Sequence, residues 1–333
     1  MKRILIVRID FLGDMVCTTG FIDALKRHWP KAEIHVLANE YNRAVLDGNP
    51  DIHAVHSYVY SRQCERNVRP GRLRAVIDRL RLIRRLRRLR FDLAVVPNGG
   101  MHKSSIQIAR WIGAARWRAH DRDSEFDDRN PEHVATRTPI HEALAGFLLM
   151  PEIPAPAIEA LRLHVHVDPT LRGHWEQTLG QRTRPRVGLF VCNKAVQRRW
   201  SMAKWRRLID SLQTRADVLV FCDASDRQMA AALSETRARC VFPPNVREMI
   251  AAASLLDLVV SADSAPVHIA AALRVPVAAL FEDRPEKYLR WHPVGAPHIV
   301  LRAGERVDDI GVEAVECAVD QLLRAHVCAY DVE

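Results

Sequence analysis

The chain has 333 residues, 48% of them from the hydrophobic set, 27% charged and 6% aromatic, enough for two domains with cores of their own and too apolar for a disordered protein. Its 49 Lys and Arg outnumber 40 Asp and Glu, and the resulting +9 is one-sided: residues 1–167 carry 27 basic and 19 acidic side chains, the remainder 22 and 21. No apolar run reaches membrane-spanning length and no signal-peptide core is present, while the seven scattered cysteines form no C-x-x-C pair, which argues for a cytoplasmic protein without a disulfide framework or zinc site.

Residues 3–9 predict a buried strand, interrupted by Arg8. A helix follows over 16–29, ended by Pro30, then a strand over 33–37 and a weaker one over 54–59. Residues 73–89 predict a strongly basic helix. It belongs to a stretch, 62–90, in which twelve arginines face only Glu65 and Asp78, so the first half should meet an anionic partner: nucleic acid, a phospholipid surface or a phosphorylated substrate. Residues 92–96 and 103–112 predict another strand and helix. The polar stretch 121–139 reads as a long loop, and the proline-rich 151–156 as a linker, dividing the chain into domains 1–160 and 161–333. A second alternation places strands over 187–192, 218–222, 256–260 and 275–281, and helices over 205–212, 226–236, 247–254, 266–273 and 312–326. Strands spaced by helices imply parallel sheets covered on both faces. The expected architecture is therefore α/β, two doubly wound domains facing across a cleft, with ligands beyond the carboxyl ends of strands.

Three segments at such ends carry chemistry. After the first strand, Gly13 permits a tight strand-to-helix turn and Asp14 begins the next helix. Asp14 is either an N-cap or a carboxylate placed to take a proton from an attacking hydroxyl. Near the far end, an apolar strand runs into Ser261-Ala-Asp263-Ser264-Ala265-Pro266-Val-His268. Amides at that helix start suit a diphosphate, Ser264 can donate a hydroxyl, and His268 lies one turn in, as an anion ligand or as a core histidine. Asp263 would repel phosphate and fits a sugar or ribose hydroxyl better. In between, Lys194 and Arg198 follow the first strand of the second half, either as a solvated loop or as cations for a leaving group. No G-x-G-x-x-G follows either opening strand, which counts against a dinucleotide oxidoreductase. No Walker A loop, H-E-x-x-H or G-x-S-x-G occurs, and the D-x-D at Asp121–Asp123 is a chance-level pattern in a loop.

Arg8-Ile-Asp-Phe-Leu-Gly-Asp14 with Thr18-Thr19, Arg198-Arg-Trp200, and Asp263-Ser-Ala-Pro-Val-His268, in that order, resemble glycosyltransferase family 9, the ADP-heptose:lipopolysaccharide heptosyltransferases; Gly100-Met-His-Lys103-Ser104 is similar to the family's G-x-x-K-S. The resemblance spans nearly the whole chain. It implies a GT-B architecture of two Rossmann-like domains, an N-terminal acceptor domain and a C-terminal nucleotide-sugar domain, and an inverting transfer that uses no metal and no cofactor. By the same resemblance Asp14 is the general base. Lys194, Arg198, Asp263, Ser264, Ala265 and His268 line the donor diphosphate, with ADP-heptose the expected donor. Gly13, Thr18, Arg62, Arg66, Arg69 and Lys103 lie on the side of an anionic lipopolysaccharide-core acceptor, at the inner face of the inner membrane. The chain departs from the family at Arg198, where lysine is usual, and at Ala265, where glycine is usual. Near Cys222 it has Asp223, Asp226 and Gln228 in place of the family's glycine and nucleoside-contacting acid. These departures leave open a different nucleotide-sugar. Two rival readings are an acceptor-free enzyme of the same fold and a non-catalytic binder using the arginines. No nucleic-acid motif or aromatic interleaving supports nucleic acid as the partner.

Overall fold

In both halves of the chain, short apolar strands alternate with helices that cover the two faces of a parallel sheet. The computed structural model describes residues 2–121, 130–223, 233 and 238–330, with side chains of the last helix described through 325. Two compact units result, Met1–His166 and Val167–Glu333.

The N-terminal unit carries β1 (Arg3–Val7), β2 (Glu33–Ala38), β3 (Ala54–Ser57), β4 (Leu93–Val96) and β5 (Arg116–Ala119), all parallel, in the order β3-β2-β1-β4-β5. Its helices are α1 (Leu12–His28), α2 (Arg72–Arg88), α3 (Lys103–Ile112) and two short ones, α4 (Pro131–Thr136) and α5 (Ala145–Leu148). Ile4 through Val7 of β1 are fully buried because the strand is central and covered on both sides. Leu5 and Val7 point to one face, into a core with Leu82 and Leu86 of α2 and Ile108 and Ile112 of α3. Helix α1 is buried along most of its length, with Phe21 edge-on to Phe147 of α5 at 5.4 Å.

The C-terminal unit repeats the plan with β6 (Arg186–Phe190), β7 (Asp217–Phe221), β8 (Arg239–Val241), β9 (Leu258–Ala262), β10 (Val277–Phe281) and β11 (His298–Arg302), in the order β11-β10-β9-β6-β7-β8. Helices α6 (Pro169–Leu179), α7 (Met202–Leu212), α8 (Val246–Ala253), α9 (Ala265–Ala272), α10 (Pro285–Trp291) and α11 (Val312–Tyr330) cover it. The strands split residue by residue between two cores. Leu258, Val260 and Ala262 join Trp205 and Leu208 of α7, while Val259 joins Ala251 of α8 and Val267 of α9. Gly188 in β6 is required for space: a Cβ there would run into the side chain of Leu256.

Both sheets reverse their winding at one point, between β1 and β4 in the first and between β6 and β9 in the second. At such a point the loops leaving neighbouring strands part in opposite directions and open a crevice beyond the carboxyl ends.

Several expectations are corrected. The first helix begins at Leu12, not at 16, because buried Gly13 and Asp14 already lie in its first turn. Strands β5, β8 and β11 were not legible; they lie at or near sheet edges, are short and expose residues such as Arg116, Arg239 and His298, so they lack the apolar run of a central strand. Part of the stretch read as loop is α4, capped by Asn130, whose Oδ1 accepts from the Glu132 amide at 3.0 Å. Helices α6 and α10 were also missed. The chain after the proline-rich segment still belongs to the first unit: Leu161 and Leu163 are buried and the His164 amide donates to Thr19 Oγ1 at 2.8 Å, so the division falls after His166. The helix expected over 226–236, apart from Leu233, lies outside the described residues, as do Asp226, Gln228 and Asp123. No described helix is long and apolar enough to cross a membrane.

Candidate active site

The crevice of the first sheet is built around one buried cation. Arg8 follows directly on β1, where its amide still donates to the Leu37 carbonyl at 3.0 Å, and its side chain is 1% exposed. A guanidinium removed from water requires carboxylates and carbonyls around it. Nε donates to Asp10 Oδ1 at 2.8 Å, Nη1 to the Pro97 carbonyl at 2.5 Å, and Nη2 to Glu142 Oε1 at 2.8 Å; Nη2 also lies 3.3 Å from Asp14 Oδ2. Asp10 is held in turn by Asn98, whose Nδ2 donates to Oδ2 at 2.5 Å, and Glu142 by the Gly99 amide at 2.8 Å. Asn39, after β2, anchors the loop from below, donating to the carbonyls of Ile9 and Asp10 at 3.0 and 2.7 Å.

Asp14 is not an N-cap. Phe11 occupies that position, makes no side-chain capping bond and stands 77% exposed, whereas Asp14 lies inside the first turn of α1. Burial pushes the Asp14 carboxyl well above the usual range; Asp10 adds to this, Arg8 opposes it and Glu142 adds again. For Arg8, burial favours loss of the proton, but Asp10, Glu142 and Asp14 outweigh it and hold the guanidinium charged. Three carboxylates around one cation make Asp14 a more basic carboxylate than a solvated one. Cys17, one turn along α1, is fully buried, and burial followed by the charge of Asp14 pushes its thiol well up.

The other residues expected on this side are distributed unevenly. Gly13 is buried in the helix and is not among the glycines with positive φ; extended Phe11 makes the turn instead. Thr18 is buried, with Oγ1 donating to the Asp14 carbonyl at 2.8 Å, so it braces the helix and offers no group to an acceptor. Lys103 is exposed at the start of α3, next to His102, whose ring is held by Ser105 Oγ at 2.7 Å. Arg66 stacks near Tyr60, guanidinium to ring centre 5.7 Å, and Tyr60 Oη reaches the Ile9 carbonyl at 3.5 Å, which brings Arg66 toward the crevice. Arg62 is exposed nearby in sequence, while Arg69 is bound to Asp78 at the head of α2. Sequence reasoning did not select Arg8, Asp10, Glu142 or Asn98 as site residues. The available signal was a lone arginine closing an otherwise apolar central strand.

The second crevice brings together segments 193–198 and 263–268. Asp263 follows β9 and is 6% exposed; Arg198 Nη1 lies 3.1 Å from its Oδ2, and Asn193 Nδ2 donates to its carbonyl at 3.1 Å. Burial raises the Asp263 carboxyl, Arg198 and Lys287 of α10 pull it down, and Glu282 raises it. Ser264 is the N-cap of α9 but does not cap it: Oγ donates back to the Ala262 carbonyl at 2.9 Å. The amides of Ser264 and Ala265 thus lie at a helix start left open by its own side chain, with both residues half-buried. Lys194 is exposed. His268 is 3% exposed and packs edge-on to Trp291 at 6.1 Å, a core placement. Arg198, expected as a phosphate cation, already has a carboxylate partner.

Glu33, His35 and His53 also offer ligand atoms within 4.8 Å of one another. They sit at the amino end of β2 and β3, away from the crevice, and Glu33 is already bound by Arg3.

Two Rossmann-like sheets in one chain, each with a polar cluster at its winding reversal, define a GT-B architecture. Residues 79–311 match glycosyltransferase family 9 (heptosyltransferase), and the chain belongs to that family. Among curated relatives, it is 24% identical over 317 residues to lipopolysaccharide heptosyltransferase 3 of Escherichia coli, covering 89% of this chain and 87% of that one. Among solved structures, it is similar to a family 9 glycosyltransferase from Veillonella parvula, with a TM-score of 0.80 at 18% identity, covering 97% and 98% of the two chains. The E. coli ADP-heptose LPS heptosyltransferase II superposes with a TM-score of 0.72 at 20% identity, covering 98% and 99%.

Proposed function

We propose that this glycosyltransferase moves a heptose from ADP-heptose to a hydroxyl of an anionic lipopolysaccharide core, in the cytoplasm at the inner face of the inner membrane. Supporting the sugar and acceptor are the family and the relative's own role as a lipopolysaccharide heptosyltransferase. The observation that carries the chemistry is the buried Asp14 carboxylate beside Arg8, at the winding reversal of the first sheet.

In this reading Asp14 takes the proton of the acceptor hydroxyl as its oxygen bonds to the anomeric carbon. The bond from that carbon to the diphosphate breaks, and ADP leaves from the face opposite the attack, which inverts the anomeric centre. Asp10 and Glu142 raise the basicity of Asp14, while Arg8 opposes them and holds the carboxyl in place. On the donor side, the open start of α9, through the Ser264 and Ala265 amides, with Lys194 and Arg198, would stabilise the charge developing on the diphosphate without a metal. Asp263 would accept from a donor hydroxyl while steering Arg198. His268 is buried and supports the helix start from within. Arg66 and Lys103, with Arg62, would hold acceptor phosphates or carboxylates.

The test is ADP release from ADP-heptose in the presence of a heptose-deficient lipopolysaccharide core, with the chelator EDTA in a parallel assay. Acceptor-dependent release that persists with EDTA is expected. Release without acceptor, or turnover only with another nucleotide-sugar, would replace this reading with an acceptor-free enzyme or a transferase of different donor.

A further inference from the structure

Helix α2 buries one side only. Ala75, Arg79, Leu82 and Leu86 face the protein, and the Arg79 guanidinium is absorbed there, donating to Tyr58 Oη at 3.3 Å and lying over the Trp111 ring at 4.9 Å. At about 100° per residue, Leu73, Val76, Ile77 and Leu80 fall together on the opposite side. All four are exposed: Leu73 is 82% and Leu80 62% exposed to solvent, and Val68, just before the helix, is 75% exposed. An outward apolar stripe on a surface helix is costly in water and marks a surface that meets something apolar. The same outward side continues into Arg84 and Arg87, and Arg74, Arg81, Arg85 and Arg88 flank it, all exposed. Within 62–90 only Glu65 and Asp78 are acidic, and Asp78 is occupied by Arg69 and Arg81.

We propose that α2 is an interfacial membrane-docking helix. Leu73, Val76, Ile77 and Leu80 enter the headgroup–acyl boundary of a leaflet, and Arg74, Arg81, Arg84, Arg85, Arg87 and Arg88 bind phosphates of anionic lipids. The occupant follows from the pairing of the two features. A second copy of this chain would bring arginines against arginines, and nucleic acid leaves the leucines unexplained. A leaflet of anionic phospholipid satisfies both at once, with guanidinium groups reaching lipid phosphates from stems that lie along the apolar boundary. This deepens the membrane reading above and rests on it only for why the enzyme goes to a bilayer; docking itself needs neither donor nor acceptor.

The experiment is co-sedimentation of the full-length protein with vesicles of phosphatidylethanolamine and phosphatidylglycerol, 7:3, and with pure phosphatidylcholine vesicles. Wild type is expected to bind the anionic vesicles and to bind phosphatidylcholine at least about tenfold more weakly. Leu73→Ser/Ile77→Ser/Leu80→Ser and, separately, Arg81→Gln/Arg84→Gln/Arg88→Gln should each lower binding about tenfold or more, with unchanged melting temperature and unchanged turnover on a soluble, delipidated acceptor. Equal binding by wild type and both variants, or no binding by wild type, overturns the proposal. So does a wild-type dimer in analytical ultracentrifugation that the leucine variant abolishes, which would give the stripe to a second copy. Vesicle binding without heptosyl transfer would sustain the docking helix and remove the proposed reaction; transfer without vesicle binding would do the reverse.

Discussion

Arg8 and Asp14 are joined through a shared nitrogen: Nη2 of Arg8 lies 3.3 Å from Asp14 Oδ2 while binding Glu142 Oε1 at 2.8 Å. One cation therefore serves carboxylates from the loop after β1, from α1 and from a segment 134 residues away in sequence. The net negative charge of this cluster is the physical source of a basic Asp14, and it makes function and stability pull in opposite directions.

Asp14→Asn removes one of three carboxylates while leaving Arg8 with Asp10 and Glu142. Because burial and its neighbours raise the Asp14 carboxyl above its unfolded range, its ionisation weakens the fold as pH rises past that range. At neutral pH the variant should melt at the wild-type temperature or above it, and kcat should fall by about 10²–10⁴-fold with little change in donor KM. A stable variant with wild-type kcat would remove Asp14 as the base.

Glu142→Gln tests the tuning of Asp14. Glu142 raises the Asp14 carboxyl, so its neutralisation should let that carboxyl fall. The acid limb of kcat/KM should then move to lower pH, with a lower plateau from the weaker base. Arg8→Met should be far more damaging: Asp10, Asp14 and Glu142 lose their cation, two of them buried, a loss of about 3–5 kcal/mol read as denaturant midpoint.

Arg198 and Asp263 form the corresponding pair in the second unit, at 3.1 Å. Arg198→Ala leaves buried Asp263 with less compensation and should lower the melting temperature and raise the donor KM by roughly 10- to 100-fold. Adding Asp263→Asn should restore the melting temperature but not the KM. Recovery of both would make the pair purely structural.

His35 and His56 meet at 3.0 Å between β2 and β3, and burial first, then neighbouring positive charge, lowers each ring to about 4. Each folded ring binds its proton less readily than the unfolded reference of 6.5. The unfolded chain gains protons first, so stability should fall as pH drops from about 6.5 to about 4 and hold steady above that window. His56→Phe should flatten that decline in a pH series of urea midpoints.

The order of strands and helices could be read from apolar runs wherever a segment is central to its sheet, as β1, β4, β6 and β10 are. Edge strands β5 and β11 escaped because they are short and carry polar residues: β5 alternates arginines with one tryptophan, and β11 has only three apolar residues, Ile299 to Leu301, between exposed His298 and Arg302. Asp14, Asp263 and the segment at Arg198 could be picked out as candidates because they follow the carboxyl ends of strands in doubly wound sheets. Their partners could not: Glu142 sits in an unremarkable stretch and Lys287 in an unrecognised helix, and each acquires its role only when chain folding brings it beside a buried charge. The same blindness affected Thr18, whose motif position suggested contact with a ligand but whose hydroxyl is turned back on its own helix.

Cys17 lies fully buried one turn behind Asp14, while Cys317 is exposed. The protein thus contains its own stopwatch for excursions of the helix that carries Asp14. A maleimide would modify Cys317 at once and Cys17 only during moments when α1 lifts from the sheet. The ratio of the two rates reports how often α1 departs from the sheet, and any ligand that clamps the crevice should slow one thiol and leave the other untouched.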